Sequence, residues 1–256
     1  MHIDLTHRTV LVTGASRGIG AAAAEGLAGA GARVGVHCGR DLERARALAA
    51  RLGNGAEAFQ ADLADADQCV GLWAQVVGRF GRVDVLVNNA GVAVAAPLDG
   101  EDAAWLAAWL AAWERTLAVN LTAMGLLCRQ AIGHFRAHGG GRIVNISSRA
   151  AFRGDTADYL AYAASKGGVV ALTRSIARAF GKEGITAFDV APGFTRTEMA
   201  QAFIDSYGED FAARDIALPR LTEPADIAPL IVFLASGLAD HATGTTIDVN
   251  AGSYVH

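Results

Sequence analysis

The residues with most chemistry to offer are Tyr162 and Lys166. Their spacing of four places both on one face of a helix, predicted over about residues 157–180. A phenol with a pKa of about 10 is a poor acid or base at neutral pH. A lysine ammonium beside it favours the phenolate, and the pair can then exchange a proton with a substrate oxygen. Tyr159 has Ala163 four residues on and cannot take that part. Tyr-x-x-x-Lys alone is a weak signal, since such pairs arise often on amphipathic helices. A second feature gives it weight: Thr13-Gly14-Ala15-Ser16-Arg17-Gly18-Ile19-Gly20 lies between a predicted strand and an Ala-rich helix. Glycines let the backbone turn sharply and approach a pyrophosphate, while a helix N-terminus offers free N–H groups and a positive dipole end. Gly14, Ser16, Arg17, Gly18, Ile19 and Gly20 are therefore candidate cofactor-binding residues. The competing reading is that a tight strand-to-helix turn needs glycine whatever it binds.

Charge at the adenosine ribose separates the two nicotinamide dinucleotides. A carboxylate ending the second strand suits a 2′-hydroxyl, and an arginine suits a 2′-phosphate. Here the strand ends Val36-His37-Cys38-Gly39-Arg40, with no carboxylate at the expected position, and Arg17 adds a cation from the glycine loop. NADP(H) is favoured, with NAD(H) the alternative because Asp41 follows Arg40 directly. Asp41 is read as the N-cap of a helix beginning at Leu42. No metal site is expected from the histidines and cysteines. No G-x-S-x-G elbow surrounds Ser147 or Ser148, which argues against a serine hydrolase.

The glycine spacing, G-x-x-x-G-x-G rather than G-x-G-x-x-G, resembles the cofactor loop of the short-chain dehydrogenase/reductase family. The resemblance continues through Asn88-Asn89-Ala90-Gly91, Asn120, Ser148, Tyr162-Ala163-Ala164-Ser165-Lys166 and Pro192-Gly193, in the family's order and over nearly the whole chain. It implies an oxidoreductase moving a hydride between NADP(H) and a ketone or secondary alcohol. Asn120, Ser148, Tyr162 and Lys166 would be catalytic, with Tyr162 the general acid/base. Ser148 would hydrogen-bond the substrate oxygen and stabilise its developing charge. The Asn120 amide would hold a water linking Lys166 to solvent. Ser147 stays an alternative to Ser148, because the stretch from Ser148 to Tyr162 is one residue longer than is usual in the family.

The same resemblance implies that Asp62 and Leu63 face the adenine and that Asn89, Ala90 and Gly91 lie along the cofactor, while Asn88 helps hold the sheet. Pro192, Gly193, Thr195 and Thr197 would meet the nicotinamide amide or the phosphates, and Tyr162 and Lys166 join the cofactor set. Ordinary loop polarity is the alternative for the two threonines. Reductases of carrier-protein-bound 3-oxoacyl chains look nearest. Where those show arginines for docking an acidic carrier, this chain has Gly139 and Glu183, which ranks a free ketone or alcohol higher. An NAD-dependent secondary alcohol dehydrogenase and a non-catalytic nucleotide-sensing protein are further alternatives.

These residues need a scaffold to bring them together. Short β-branched runs at Thr9 to Thr13, Arg33 to His37, Ala56 to Ala61, Val83 to Asn88, Arg142 to Ile146, Ile185 to Val190 and Thr245 to Val249 alternate with long Ala/Leu-rich segments. They predict an α/β fold: one doubly wound Rossmann-type domain with a seven-stranded parallel sheet and helices on both faces. The strand order should be the dinucleotide-binding one, extended by a seventh strand. No linker divides residues 1–256, so one cofactor-binding and catalytic domain is expected. About residues 194–220, carrying Phe194, Met199, Phe203, Tyr207 and Phe211, would form a substrate lid by the resemblance. A surface helix with one buried face explains the same pattern.

A formal net charge of −4 leaves no electrostatic footprint for nucleic acid or an anionic membrane. Residues 1–8 lack the apolar run of a signal peptide, and no stretch reaches the roughly 18 apolar residues of a membrane span, so a soluble cytoplasmic protein is expected. Cys38, Cys69 and Cys128 form no C-x-x-C pair and read as packing residues. The resemblance implies a homodimer or homotetramer joined through the helices bearing Asn120 and Tyr162 and through the last strand. Trp105, Trp109 and Trp113 arise from a four-residue tandem repeat and should line one helical stripe, either a core or interface face or an aromatic wall for substrate.

Overall fold

The computed structural model describes residues 3–100, 102–208 and 213–255. The first half of the chain runs β1 (Thr9–Val12), α1 (Gly18–Gly29), β2 (Arg33–Cys38), α2 (Leu42–Leu52), β3 (Glu57–Gln60), α3 (Ala66–Phe80) and β4 (Val85–Asn88). The second half runs α4 (Ala103–Leu117), a π-helical turn (Ala118–Thr122), α5 (Ala123–Ala137), β5 (Gly141–Ile146), α6 (Ala150–Arg153), α7 (Leu160–Phe180), β6 (Ile185–Pro192), α8 (Glu198–Tyr207), α9 (Pro224–Ser236) and β7 (Thr246–Val249). The seven strands form one sheet in the order β3-β2-β1-β4-β5-β6-β7, every pair parallel, as the sequence predicts. The helix predicted from residue 157 begins as a short 3-10 turn at Ala157–Tyr159 and becomes α-helical at Leu160.

Alternation along each buried strand sorts side chains into two layers. Val10, Val12, Val34, Val36, Val85, Val87 and Val144 pack against α1, α2 and α9. Leu11, Leu86 and Ile143 pack against α3, α5 and α7 on the opposite face. Small residues let α1 and α9 approach closely: a Cβ at Gly26 would stand 3.0 Å from Val232 Cγ2. Asp41 caps α2 by accepting from the Arg44 N–H at 2.9 Å, the role read for it from sequence. Cys38, Cys69 and Cys128 are buried free thiols. No described helix is long and apolar enough to cross a membrane.

The tryptophan repeat lies on α4, where Trp109 stacks on Trp113 at 5.2 Å and Trp105 donates to the Pro97 carbonyl at 3.0 Å. Thr116 is the buried side chain of α4, and Trp105, Trp109 and Trp113 are each only half-buried, so the stripe is not core. One feature of the sequence escaped the metal argument: His134 and His138 stand four apart on α5. Their rings stack at 4.0 Å, with His134 Nε2 accepting from the Val83 N–H and His138 Nδ1 bonded to the His134 carbonyl. Among the described residues no group of three or more His, Cys, Asp or Glu side chains is placed to hold a metal ion.

One polar row crosses the face beneath α7. Strand register aligns Asn88 with Asn145, Asn145 with Asp189, and Asp189 with Thr246. Asn88 Nδ2 donates to Asn145 Oδ1 at 2.9 Å, and Asn145 Nδ2 donates to Thr173 Oγ1 of α7 at 2.8 Å. Asp189 is 1% exposed and accepts from Ser147 Oγ at 2.8 Å, while its Oδ1 is buried without a hydrogen-bond partner. Burial pushes this carboxyl up to about 6, opposed by the Ser147 and Thr246 hydroxyls and the Lys166 ammonium. A carboxyl whose folded pKa lies above its unfolded value stabilises the fold at acid pH and loses that contribution as pH rises through about 6. Over the interval from about pH 4 to 7 the loss is on the order of 2–3 kcal/mol. In Asp189→Asn this component is gone, so the Tm of the variant minus that of the native protein should rise between pH 5 and pH 7. A difference that stays constant across that range would refute the assignment.

Candidate active site

The glycine loop leaves β1 at Thr13, and its neighbours determine its shape. Gly14 and Gly18 adopt φ of +62° and +58°, which L side chains seldom tolerate. A Cβ at Gly14 would stand 2.8 Å from Ala90 Cα, and one at Gly20 would meet Asn89 Nδ2 at 2.5 Å. Asn89 Nδ2 donates to the Thr13 and Gly14 carbonyls at 2.9 and 3.1 Å. Thr13 Oγ1 in turn accepts from the Asn89 and Ala90 N–H groups, both at 3.0 Å. The loop and the Asn88-Asn89-Ala90-Gly91 turn are thus one hydrogen-bonded unit.

His37, 1% exposed on β2, supports the same loop from below. Its Nδ1 accepts from the Gly14 N–H at 3.1 Å, its Nε2 faces the Ala61 carbonyl at 3.1 Å, and its own carbonyl accepts from the Ala15 N–H at 2.8 Å. Burial pushes its pKa down to about 4, so the ring is neutral at physiological pH and keeps Nδ1 as an acceptor. Thr13 and His37 were missed in the sequence. Their signal was a polar side chain within or ending an otherwise apolar strand.

This cradle fits a nucleotide pyrophosphate. Arg17, at the N-cap of α1, has extended backbone and provides no side-chain cap, and the first turn carries no acidic residue. Capping side chains occupy N-terminal N–H groups on α2, α3, α4, α8 and α9. The N–H groups opening α1 remain for an anion.

The side chains predicted for proton transfer meet at the C-terminal end of β5. The Ser148 hydroxyl is close enough to Tyr162 to act on its phenol, and its Oγ accepts from the Ala150 N–H at 3.1 Å. Ser147 turns the other way, toward Asp189, which separates the two serines: Ser148 is the one joined to Tyr162. Lys166 is 4% exposed; its Nζ donates to the Ile146 carbonyl at 2.9 Å and lies 5.7 Å from the Tyr162 ring centroid. Burial pushes Lys166 down to about 8, with Asp189 opposing. Burial pushes the Tyr162 hydroxyl up, the Ser148 hydrogen bond opposes, and Asp155 adds to the rise. The depression expected from Lys166 is therefore absent within the protein itself, because desolvation dominates and Nζ is turned to a carbonyl.

Asn120 is fully buried at the π-helical turn. Its Oδ1 accepts from the Val92 N–H at 2.8 Å, and its Nδ2 donates to the Val92 carbonyl at 2.9 Å and to Ser165 Oγ at 3.1 Å. The amide thus clamps the irregular segment after Gly91 at Val92, where the sequence suggested a water-holding role. Gly91 lies between the two halves of the site: a Cβ there would stand 3.4 Å from Asn120 Oδ1 and 3.5 Å from Lys166 Nζ.

Other predicted residues line the groove with partners of their own. Pro192 offers its carbonyl to the Arg149 N–H at 2.9 Å, and the Gly193 N–H donates to the Val249 carbonyl at 3.0 Å. Thr195, 6% exposed, donates to the Gly193 carbonyl at 3.1 Å, and Thr197 caps α8 while its methyl is nearest to Gly18. Asp62 is held by Arg115 at 3.1 Å. The Leu63 side chain is buried in the core, so only its main chain is available to an adenine. Arg17 and Arg44 both pair with Glu198 of α8, at 2.7 and 2.6 Å, and Arg40 makes no ion pair among the described residues. Of the predicted lid, Met199 is exposed, nothing is described for the side chains of Phe203 and Tyr207, and Phe211 lies outside the described residues.

A family model described as short chain dehydrogenase matches residues 8–207. The 3-oxoacyl-[acyl-carrier-protein] reductase FabG of Staphylococcus aureus is 36% identical over 251 residues, covering 97% of this chain and 98% of that protein. A structure described as a candidate NAD(P)-dependent gluconate 5-dehydrogenase from Beutenbergia cavernae, with NADP bound at low occupancy, superposes with a TM-score of 0.89 at 36% identity, covering 99% of each chain. A candidate gluconate dehydrogenase from Agrobacterium tumefaciens gives a TM-score of 0.89 at 33% identity over the full length of both. Matches of this extent make the chain a member of the short-chain dehydrogenase family and an oxidoreductase.

Proposed function

We propose that the protein moves a hydride between NADP(H) and a ketone or secondary alcohol, with Tyr162 as general acid/base. The grouping of Ser148, Tyr162 and Lys166 beside Gly91 carries this reading, since it puts a proton donor next to the nucleotide groove. The nicotinamide, when bound, supplies or accepts the hydride. A buried phenol stays protonated at neutral pH and is the form that donates to a carbonyl oxygen. Ser148 orients that oxygen and stabilises charge developing on it. Lys166, pushed down to about 8, titrates close enough to neutrality to follow the proton Tyr162 passes. Gly14 to Gly20, Asn89, Ala90 and Pro192 to Thr197 would hold the nucleotide.

NADP(H) is favoured over NAD(H) by Arg40 and Arg17 at the ribose end and by the NADP in the Beutenbergia structure. A free ketone or alcohol is the leading substrate class, and the gluconate-dehydrogenase neighbours put polyhydroxy acids within it. A 3-oxoacyl thioester is the second reading, supported by the FabG likeness. Against it, Glu183 is bound by Arg136 at 2.9 Å on the surface where carrier-docking cations would be wanted. Residues 194–220 would act as the lid. Self-association through α5, α7 and β7 belongs to the same reading, supported by a groove between α5 and α7 lined by Ile132, Leu172 and Phe180.

With NADPH and a panel of ketones that includes acetoacetyl-CoA, turnover should be seen, and Tyr162→Phe should lower kcat by about a thousandfold while NADPH still binds. Nucleotide binding without turnover of any compound would leave the non-catalytic alternative standing. Arg40→Ala should weaken NADPH about tenfold or more and spare NADH, as expected for one lost charge-assisted contact; equal loss for both nucleotides would reverse the cofactor assignment. Light scattering should give two or four times the 26.5 kDa chain mass, and a monomer would refute the association.

A further inference from the structure

Four charges stand together at the substrate end of the site, and only two of them are paired. Arg153 Nη1 donates to Asp215 Oδ2 at 3.0 Å, tying α6 to the later part of the proposed lid segment. Arg149, directly after Ser148, is different. Its backbone N–H is fixed to the Pro192 carbonyl at 2.9 Å, and its Nη1 is buried with no hydrogen-bond partner. Asp155 receives the Thr156 N–H at 2.8 Å and makes no ion pair among the described residues. It lies close enough to act electrostatically on Arg149, Arg153 and the Tyr162 hydroxyl. A desolvated guanidinium with unused donors, on the residue directly after Ser148, is costly unless something binds it.

We propose that Arg149 and Asp155 form the specificity end of the substrate site, Arg149 taking a substrate carboxylate and Asp155 accepting from a substrate hydroxyl. The planar fork of an arginine matches a carboxylate in two parallel hydrogen bonds. A phosphate would bring about twice the charge against Asp155 and Asp215 and fits less well. An unsubstituted acyl chain offers nothing to either side chain. The substrate class is therefore a hydroxy acid or its keto form. This rests on the oxidoreductase reading above and adds the substrate to it.

The burial of Arg149 supports the same arrangement: desolvation holds its pKa below the usual arginine value, with Arg153 adding and Asp215 and Asp155 opposing. An incoming carboxylate would relieve that desolvation, where a neutral ligand would deepen it.

The test is a steady-state comparison of hydroxy acids such as D-gluconate with neutral polyols of the same length such as D-glucitol, each with NADP+. Native enzyme should prefer the acids by about a hundredfold or more in kcat/KM. Arg149→Met should collapse that ratio toward one, mainly through the KM of the acid, and Arg149→Lys should restore part of it. Asp155→Asn should raise KM for hydroxylated acids more than for acids lacking hydroxyls. Native enzyme also gives a readout independent of folding: a non-reacting sugar acid should inhibit reduction of a neutral ketone competitively, and its amide should not. Neutral ketones turned over with no preference for acids, or Arg149→Met lowering acid and neutral turnover equally, would overturn the proposal while the oxidoreductase reading stands. Absence of turnover for every compound despite NADPH binding would instead fail the reading beneath it.

Discussion

The catalytic half of the molecule is organised around the burial of one ammonium. Lysine is almost never buried unless its charge is answered, and Lys166 is 4% exposed. Two groups answer it: the Ile146 carbonyl at 2.9 Å and the negative charge of Asp189. That solution creates a second problem, because Asp189 is itself buried between strands. The Ser147 and Thr246 hydroxyls and the Lys166 charge together hold it only to about 6. The same row then runs through Asn145 to Thr173 of α7 and through Asn88 to β4. Polar side chains in register across four strands thus fix α7 along the sheet in a way that apolar packing, which is non-directional, does not. The position of Tyr162 one turn before Lys166 follows from that fixing.

The nucleotide half solves a different constraint. A strand-to-helix turn that keeps its helical N–H groups open for an anion must satisfy its remaining backbone groups elsewhere. Asn89 does so from the end of β4, Thr13 at the end of β1 satisfies the Asn89 and Ala90 N–H groups in return, and His37 does so from β2. Histidine can accept from Gly14 and donate to Ala61 at once only while neutral, and burial, which drives its pKa to about 4, guarantees that form. The glycines are therefore half of the device. The other half is a set of three side chains that each close two backbone groups.

The alternation of β-branched runs with Ala/Leu-rich segments made the seven strands and their order legible, because strands covered on both faces must be apolar at consecutive positions. The glycine spacing and Tyr162 with Lys166 were legible because their geometry is local: a turn, and one helical turn. Asp189, His37 and Thr13 were not, since each matters through a partner far along the chain that only the sheet brings near. Ser147 and Ser148 are adjacent in sequence and point oppositely, a distinction decided by strand pleat and by Asp189. Asn120 was legible as a site residue but its partners were not: its amide bonds Val92 and Ser165 where the helix is widened. His134 and His138 show the reverse error, a recognisable spacing whose nitrogens are used within the fold.

Charge at the mouth links the two halves through α8. Glu198 holds Arg17 of the glycine loop and Arg44 of α2, while Thr197, which caps the same helix, lies against Gly18. All three charged side chains are roughly half exposed, so water screens the pairs and they bind weakly. A nucleotide phosphate approaching Arg17 carries more charge than one carboxylate and would also gain the N–H groups and dipole of α1, which Glu198 does not engage. Under the proposed function the carboxylate would yield its hold on Arg17 as the phosphate arrives, while Arg44 keeps it on the far side. Since Glu198 opens α8, that exchange of partners would act on the start of this helix, and Arg153 pairs with Asp215 further along the chain. Under the proposed function, nucleotide arrival and the position of α8 would be joined through exposed charges rather than through the core.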